Sequence, residues 1–115
     1  MGAHGMLQIG EVADRIGLSL RTIRYYEEVG LAVPSARSEG GFRLYTEDDV
    51  ERLQVIMQMK PLGFSLEEMR ELLTALADGG PAERLAHYRA AAAERVDALR
   101  AQLATAEAFA GRLRA

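Results

Sequence analysis

Leu18-Ser-Leu-Arg-Thr-Ile-Arg-Tyr-Tyr-Glu-Glu-Val-Gly-Leu31 is the stretch whose reading decides the fold. Ser19 is a good N-cap, because its hydroxyl accepts a hydrogen bond from an otherwise unpaired N–H of a first helical turn. Gly30 suits the position just past a helix end, since it tolerates a left-handed backbone. The interval between them is about three turns of helix. Leu20, Ile23 and Val29, with part of Tyr26, give that helix a buried side, while Arg21, Thr22, Arg24 and Tyr25 point elsewhere. Two arginines, a threonine and two tyrosines so close together make a short rod able to hold phosphates and touch base edges. The expectation is the recognition helix of a helix-turn-helix.

Upstream, Ile9, Val12, Ala13 and Ile16 recur at helical spacing, and Gly17-Leu18-Ser19 supplies a tight turn. Two short helices joined by a Gly-containing turn are the helix-turn-helix unit. Met1–Gly5 is featureless, Met6 reads as a natural start, and the isolated His4 has a structural or accidental role.

Downstream, Pro34 stops any helix, Gly40-Gly41 supplies residues suited to a tight hairpin, and Phe42-Arg-Leu-Tyr45 alternates as a short strand should. This predicts a β-hairpin wing with Arg37 and Arg43 flanking its tip, where beside the preceding helix they are placed for phosphate contacts. Thr46 caps the next helix, with Asp49 three residues on. Glu47, Asp48 and Asp49 suit the positive end of its dipole. Val50, Leu53, Ile56 and Met57 form its apolar face, and Pro61 and Gly63 end it. Ser65 and Glu68 form a second capping box, opening an amphipathic helix with Leu66, Met69, Leu72, Leu73 and Leu76 on one face. The methionines at 57, 59 and 69 read as core filler.

Asp78-Gly-Gly-Pro81 breaks the chain again. Residues 82–114 contain no Pro and a single Gly, Gly111, with abundant Ala, so helix propensity is high. Apolar steps run Leu85, Tyr88, Ala92, Val96, Leu99, Leu103, Ala106, Ala110 and Leu113. From Val96 onward they alternate three and four, a heptad seam, with an eleven-residue stutter before it. A helix of ~50 Å cannot pack its whole stripe on a head of this size, and the simplest partner is its own copy. Folding back on its own domain is the alternative. The organisation expected is a DNA-binding head over residues 1–77, then a linker and dimerisation helix over 78–115.

Composition bounds the function. With 115 residues and 49% apolar content the chain supports one small core, with length to spare for an appended arm. No apolar run approaches the ~18 residues of a membrane span and no secretory signal is evident, so a cytoplasmic location without membrane partners is expected. Cysteine is absent, which excludes disulfides and thiolate metal sites. The formal net charge is −3, unlike a general nucleic-acid binder. Its distribution is uneven: residues 47–78 hold eight acids against three bases, residues 15–45 five arginines against three acids. A mildly basic reading head beside an acidic middle is compatible with sequence-specific binding and argues against indiscriminate binding, which rests on phosphate neutralisation.

Ile9-Gly-Glu-Val-Ala13, Gly17-Leu-Ser19, Thr22-Ile-Arg-Tyr-Tyr-Glu27, Gly30-Leu31, Gly41-Phe-Arg-Leu-Tyr45 and Leu62-Gly-Phe-Ser-Leu-Glu-Glu68 stand in the order and at the spacing of the mercury-resistance-regulator (MerR) family, which the chain resembles over residues 7–76. The resemblance implies a mainly α fold: a winged helix-turn-helix head with a small β-hairpin wing, two further helices, and a long C-terminal dimerisation helix in an antiparallel coiled coil. It implies a homodimer on a pseudo-palindromic operator in double-stranded promoter DNA, distorting a long spacer so that RNA polymerase, an indirect partner, can engage both promoter elements. Arg21, Arg24 and Tyr26 in the helix match DNA-contacting positions of the family. So do Arg37, Phe42 and Arg43 in the wing, and Lys60 sits where a basic residue near phosphate is common. With Thr22 and Tyr25 these are the candidate DNA-binding residues; Leu85, Tyr88, Val96, Leu99, Leu103, Ala106 and Leu113 are the candidate dimerisation residues. Phe42 stands where Tyr is frequent, and Pro61 biases Lys60 away from helical geometry.

No cofactor is implied, and the sensor is open. Metal- and redox-sensing relatives use cysteines near the end of the dimerisation helix, and drug-sensing relatives carry a further C-terminal domain. The alternatives are a small-molecule effector held where head and coil join, no effector, or a chain that is the N-terminal portion of a longer protein. His87 and Tyr88 begin the long helix and read as packing rather than ligand contact. An enzyme is not expected, because the two histidines lie far apart and no carboxylate pair marks a cleft. A protein-binding module using the same head is the other alternative, against which the intact Arg/Tyr set counts.

Overall fold

The computed structural model describes residues 5–114, so the expectations for His4 and the chain start lie outside the described residues. Its elements are β1 (Leu7–Gln8), α1 (Ile9–Ile16), α2 (Leu20–Glu28), β2 (Ala36–Arg37), β3 (Arg43–Tyr45), α3 (Glu47–Met59), a 3-10 turn (Lys60–Leu62), α4 (Leu66–Asp78) and α5 (Ala82–Arg112). The chain divides after Leu73 into two compact units.

In the first unit, helix boundaries follow from local chemistry. Gly17 ends α1 with φ 76°, and its N–H donates to the Ala13 carbonyl at 2.9 Å. Ser19 then caps α2, its Oγ accepting from the Thr22 N–H at 3.0 Å. At the far end Gly30 takes φ 75°. Its N–H reaches the Glu27 carbonyl at 3.0 Å, and the Leu31 N–H reaches that of Tyr26 at 2.9 Å. This pair of bonds is the Schellman arrangement, which pairs carbonyls otherwise left bare at a helix end. Thr46 and Asp49 form a reciprocal capping box at the start of α3, and Ser65 and Glu68 do so at α4.

The wing belongs to a three-stranded antiparallel sheet of order β1-β3-β2. Leu7 pairs with Tyr45, Gln8 and Ala36 both with Leu44, and Arg37 with Arg43. The hairpin turn is closed by the Gly41 N–H on the Ser38 carbonyl at 2.9 Å, with Gly41 at φ 83°. A left-handed residue after the turn is the device of three-residue hairpin loops.

Val12, Ile23, Leu31, Tyr45, Leu53 and Ile56 are the largest fully buried side chains. They bring α1, α2, β3 and α3 around one core, and each such side chain stabilises the fold by about 1.5–3 kcal/mol as an upper figure. Three expectations need correction. The period-two pattern of residues 42–45 does not hold: Phe42 is outside the strand and exposed, and Leu44 and Tyr45 are both buried, because adjoining elements cover both faces where the strand runs into α3. On α3 the core face steps by three through Val50, Leu53, Ile56 and Met59, with Met57 only half-buried. Lys60 keeps helical geometry (φ −58°, ψ −48°) and donates its N–H to the Ile56 carbonyl. Tightening to 3-10 after Met59 accommodates Pro61, whose missing N–H is no loss in a first turn.

The second unit contains the end of α4 and all of α5, a helix of 31 residues. Tyr88 is buried and stacks edge-on with His87 at 5.1 Å between ring centroids. Tyr88, read as a packing residue, is thus covered, and Leu85 is half-buried. Val96, Leu99, Leu103, Phe109 and Leu113 are all exposed, Leu113 to 70%. Among the described residues no helix is long and apolar enough to cross a membrane.

Candidate nucleic-acid interface

α2 carries two faces. Ile23 and Tyr26, three residues apart and so on one side of a helix, are 0% and 2% exposed and anchor it in the core. Arg21 and Arg24 are exposed on the other side, and no hydrogen bond or ion pair holds either among the described residues. Tyr25 is 42% exposed and its ring lies 5.7 Å from that of Tyr26, tilted by 55°. Thr22 is half-buried, and its Oγ1 accepts from the Ser19 hydroxyl at 2.9 Å. No acidic side chain occupies the first turn of α2, so the positive end of its dipole stays open to an anion.

Two expectations about this helix change. Leu20, expected in the core, is 39% exposed; it is the first residue of α2, and helical side chains cover the turn N-terminal to their own position, which here lies outside the helix. Tyr26 is not partly but almost wholly buried, leaving it little surface for DNA. Its neighbour Tyr25 is the tyrosine the fold presents.

The wing arginines are not free. Arg37 and Arg43 face each other across β2 and β3, where two like charges repel. Glu27 of α2 resolves the conflict. Its Oε2 accepts from Arg37 Nη2 at 2.8 Å, and its Oε1 accepts from Arg43 Nε. The Glu27 side chain is 17% exposed, against 47% for Arg37 and 29% for Arg43. Arg37 also donates Nη1 to the Gly41 carbonyl at 3.3 Å, tying the hairpin tip to the same group. The hydrogen bond to Glu27 raises the Arg43 pKa further above the ordinary arginine value. Phe42 projects from the hairpin, 65% exposed, and a Cβ on Gly40 would meet its ring at 3.0 Å. Lys60 is exposed at the junction of α3 and the 3-10 turn, at a distance along the chain from the other candidates.

Three side chains that hold this face together carried no signal in the sequence. Glu27 reaches residues 10 and 16 positions away. Arg52 Nε on α3 donates to the Leu31 carbonyl at 2.9 Å, and Arg70 on α4 donates to the Val29 carbonyl. Both guanidiniums sit on carbonyls at the negative end of α2, where cations are favoured. Partners so far apart in sequence are found only once the chain is folded.

The description "MerR HTH family regulatory protein" matches residues 7–76, and "MerR, DNA binding" matches residues 50–115. The HTH-type transcriptional regulator ZntR of Escherichia coli K12 is 49% identical over 73 residues, covering 64% of this chain and 52% of that protein. A MerR family transcriptional regulator from Bacillus cereus superposes with a TM-score of 0.68 at 33% identity, covering 91% of this chain and 75% of that one. HiNmlR, described as a MerR family regulator lacking the sensor domain, bound to promoter DNA, superposes at 0.73 with 25% identity over 92% of this chain and 79% of its own. The chain spans about half the length of the curated relatives it matches. With a family model running through the helix-turn-helix, wing and following helices, and a solved relative at this identity, the protein belongs to the MerR family of helix-turn-helix regulatory proteins.

Proposed function

We propose that this protein is a DNA-binding transcriptional regulator that acts as a homodimer on a pseudo-palindromic promoter operator. The observation that carries the reading is the division of α2 into a core face of Ile23 and Tyr26 and an outer face of unpaired Arg21 and Arg24. Arginine is the side chain best shaped for two-pronged contact with a guanine edge or a phosphate. In this reading Arg24 and Tyr25 touch base edges, Arg21 and the first turn of α2 hold phosphate, and Phe42 with the wing arginines extends the contact beside it. Lys60 adds a phosphate contact further along the backbone. That HiNmlR is described as bound to promoter DNA supports the assignment.

Residues 1–77 form the DNA-binding head in this reading, and residues 78–115 supply the link and the dimerisation helix. The exposed apolar row Val96, Leu99 and Leu103, continued by Ala106 and Leu113, is the surface a second copy covers, with Leu85 at its edge. An apolar row of this length on one helix calls for a partner, and heptad spacing selects another helix. A twofold dimer presents two copies of α2, hence an inverted repeat with half-sites a whole number of helical turns apart. Control of initiation then comes from distorting the DNA between them, at a deformation cost set by sequence. RNA polymerase is engaged through the DNA, the location is cytoplasmic, no catalytic activity is involved, and any effector is a small molecule.

The test is selection from a random duplex pool by the purified protein, followed by footprinting on its own upstream region. An inverted repeat protected within a stretched promoter spacer supports the function. No enriched sequence and no protected site, with and without cell extract to supply an effector, refutes it.

A further inference from the structure

Glu27, Arg37 and Arg43 form a closed triad with one net positive charge in place of two. Both carboxylate oxygens are engaged, one by each guanidinium, and the carboxylate is the least exposed of the three side chains. The carboxylate lies in contact with both guanidiniums at once. A phosphate approaching the wing therefore meets two guanidiniums and a fixed carboxylate together. The same contacts fasten the wing to α2, because Glu27 lies one residue beyond Tyr26, which is locked in the core.

We propose that Glu27 is a specificity-determining residue, a built-in counter-charge that limits the wing's grip on DNA phosphate while fixing the wing against the reading helix. The inference rests on the DNA-binding function proposed above. Affinity for arbitrary duplex grows with the number of phosphates neutralised and carries no sequence information. Cancelling one of two wing charges lowers that background. Holding the wing in one place retains its contribution on a site where α2 is in register. The residue thus shifts discrimination toward the base contacts of α2.

The experiment compares the full chain with its Glu27→Gln variant on two labelled duplexes, one selected by the wild type from a random pool and one scrambled, across a salt series. Glutamine keeps the shape and one acceptor but removes the charge. The expected result is tighter binding of the scrambled duplex at low salt, with the slope of log affinity against log salt steeper by about 0.9 for each wing engaged. The variant's advantage then shrinks about 3.5-fold per wing for each fourfold rise in salt. The selected duplex gains less, so its preference narrows. Glu28→Gln removes an exposed carboxylate one residue away that acts on Arg43 through space without a hydrogen bond to it, and should steepen the slope clearly less than Glu27→Gln.

An unchanged slope for Glu27→Gln, or equal steepening by Glu28→Gln, overturns the proposal. Should Glu27→Gln be unfolded at the assay temperature, the double change Glu27→Met with Arg43→Met replaces the ion pair by an apolar one and leaves Arg37. A wild-type slope in that variant supports the counter-charge, and a shallower one overturns it. Wild-type protein that binds neither duplex defeats the DNA-binding function itself, whereas normal wild-type binding with the wrong variant slope defeats only the role of Glu27.

Discussion

Arg52, in the middle of α3, donates its Nε–H to the carbonyl of Leu31 at 2.9 Å, across 21 residues of sequence. That carbonyl follows the end of α2, so the bond ties α3, which supports the core, to the helix proposed to read DNA. A hydrogen bond from a charged donor to a partly buried carbonyl is worth about 1.5–3 kcal/mol. Arg52→Met should lose stability of that order in urea unfolding. Arg52→Lys should not restore it, because an ammonium at the end of a longer reach lacks the donor at Nε. Full stability of the lysine variant would show that charge alone matters there.

Arg24→Ala should weaken binding to the selected duplex by about 1–3 kcal/mol if the side chain reads a base, with little change in melting temperature because Arg24 is exposed and unpaired. The loss should concentrate at one base position per half-site when variant duplexes are titrated. Equal affinity of mutant and wild type would remove Arg24 from the interface.

Leu99→Asp with Leu103→Asp places two charges on the exposed apolar row of α5. Sedimentation should report monomers, and binding to the inverted repeat should vanish while the helical circular dichroism of the head persists. A fully dimeric double variant would show that this row is not the interface.

The Tyr45 hydroxyl is buried and has no hydrogen-bond partner among the described residues. An unpaired buried hydroxyl costs stability, so Tyr45→Phe should stabilise the head by about 1 kcal/mol. Burial raises the Tyr45 pKa above 10.0, with Glu27 adding to the effect. The folded state therefore favours the neutral phenol: its contribution is complete below the unfolded pKa and is lost as pH rises above it toward the folded value. The wild type should lose stability above pH 10 more steeply than Tyr45→Phe, as read by melting temperature.

Arg15 and Glu47 join α1 to the start of α3 by two parallel bonds of 2.7 and 2.6 Å. The hydrogen bond to Arg15 lowers the Glu47 pKa below 4.5. A depressed carboxylate stabilises the fold above its unfolded pKa, and that contribution is lost as pH falls through the folded value. Both side chains are largely exposed, 48% and 63%, so the effect is small and screened by salt. A carboxyl NMR titration should show Glu47 returning toward the ordinary value in Arg15→Ala, with the shift in the wild type shrinking in high salt.

Local chemistry was legible where a signal is complete within a few residues. Ser19, Gly30, Thr46 with Asp49 and Ser65 with Glu68 each announce a helix end through bonds to near neighbours, and each makes those bonds in the fold. β1 was not legible, since two residues carry no period and pair only because β3 passes beside them. Tyr26 is covered more deeply than its spacing implies, because a helical period locates a face but not how deeply a neighbour covers it. The wing arginines were visible as charges, and their tether was not.

What the amino-acid sequence determined by itself is the set of helices, the hairpin turn at Gly41 and the family to which the chain belongs, because caps, left-handed glycines and periodicity act over a few residues. Only the tertiary structure decided that Tyr88 is covered within one chain, that Met59 and not Met57 enters the core, and that Glu27 stands between Arg37 and Arg43. Burial and ion pairing depend on which surfaces meet in space, and those meetings join residues whose separation along the chain carries no local energy.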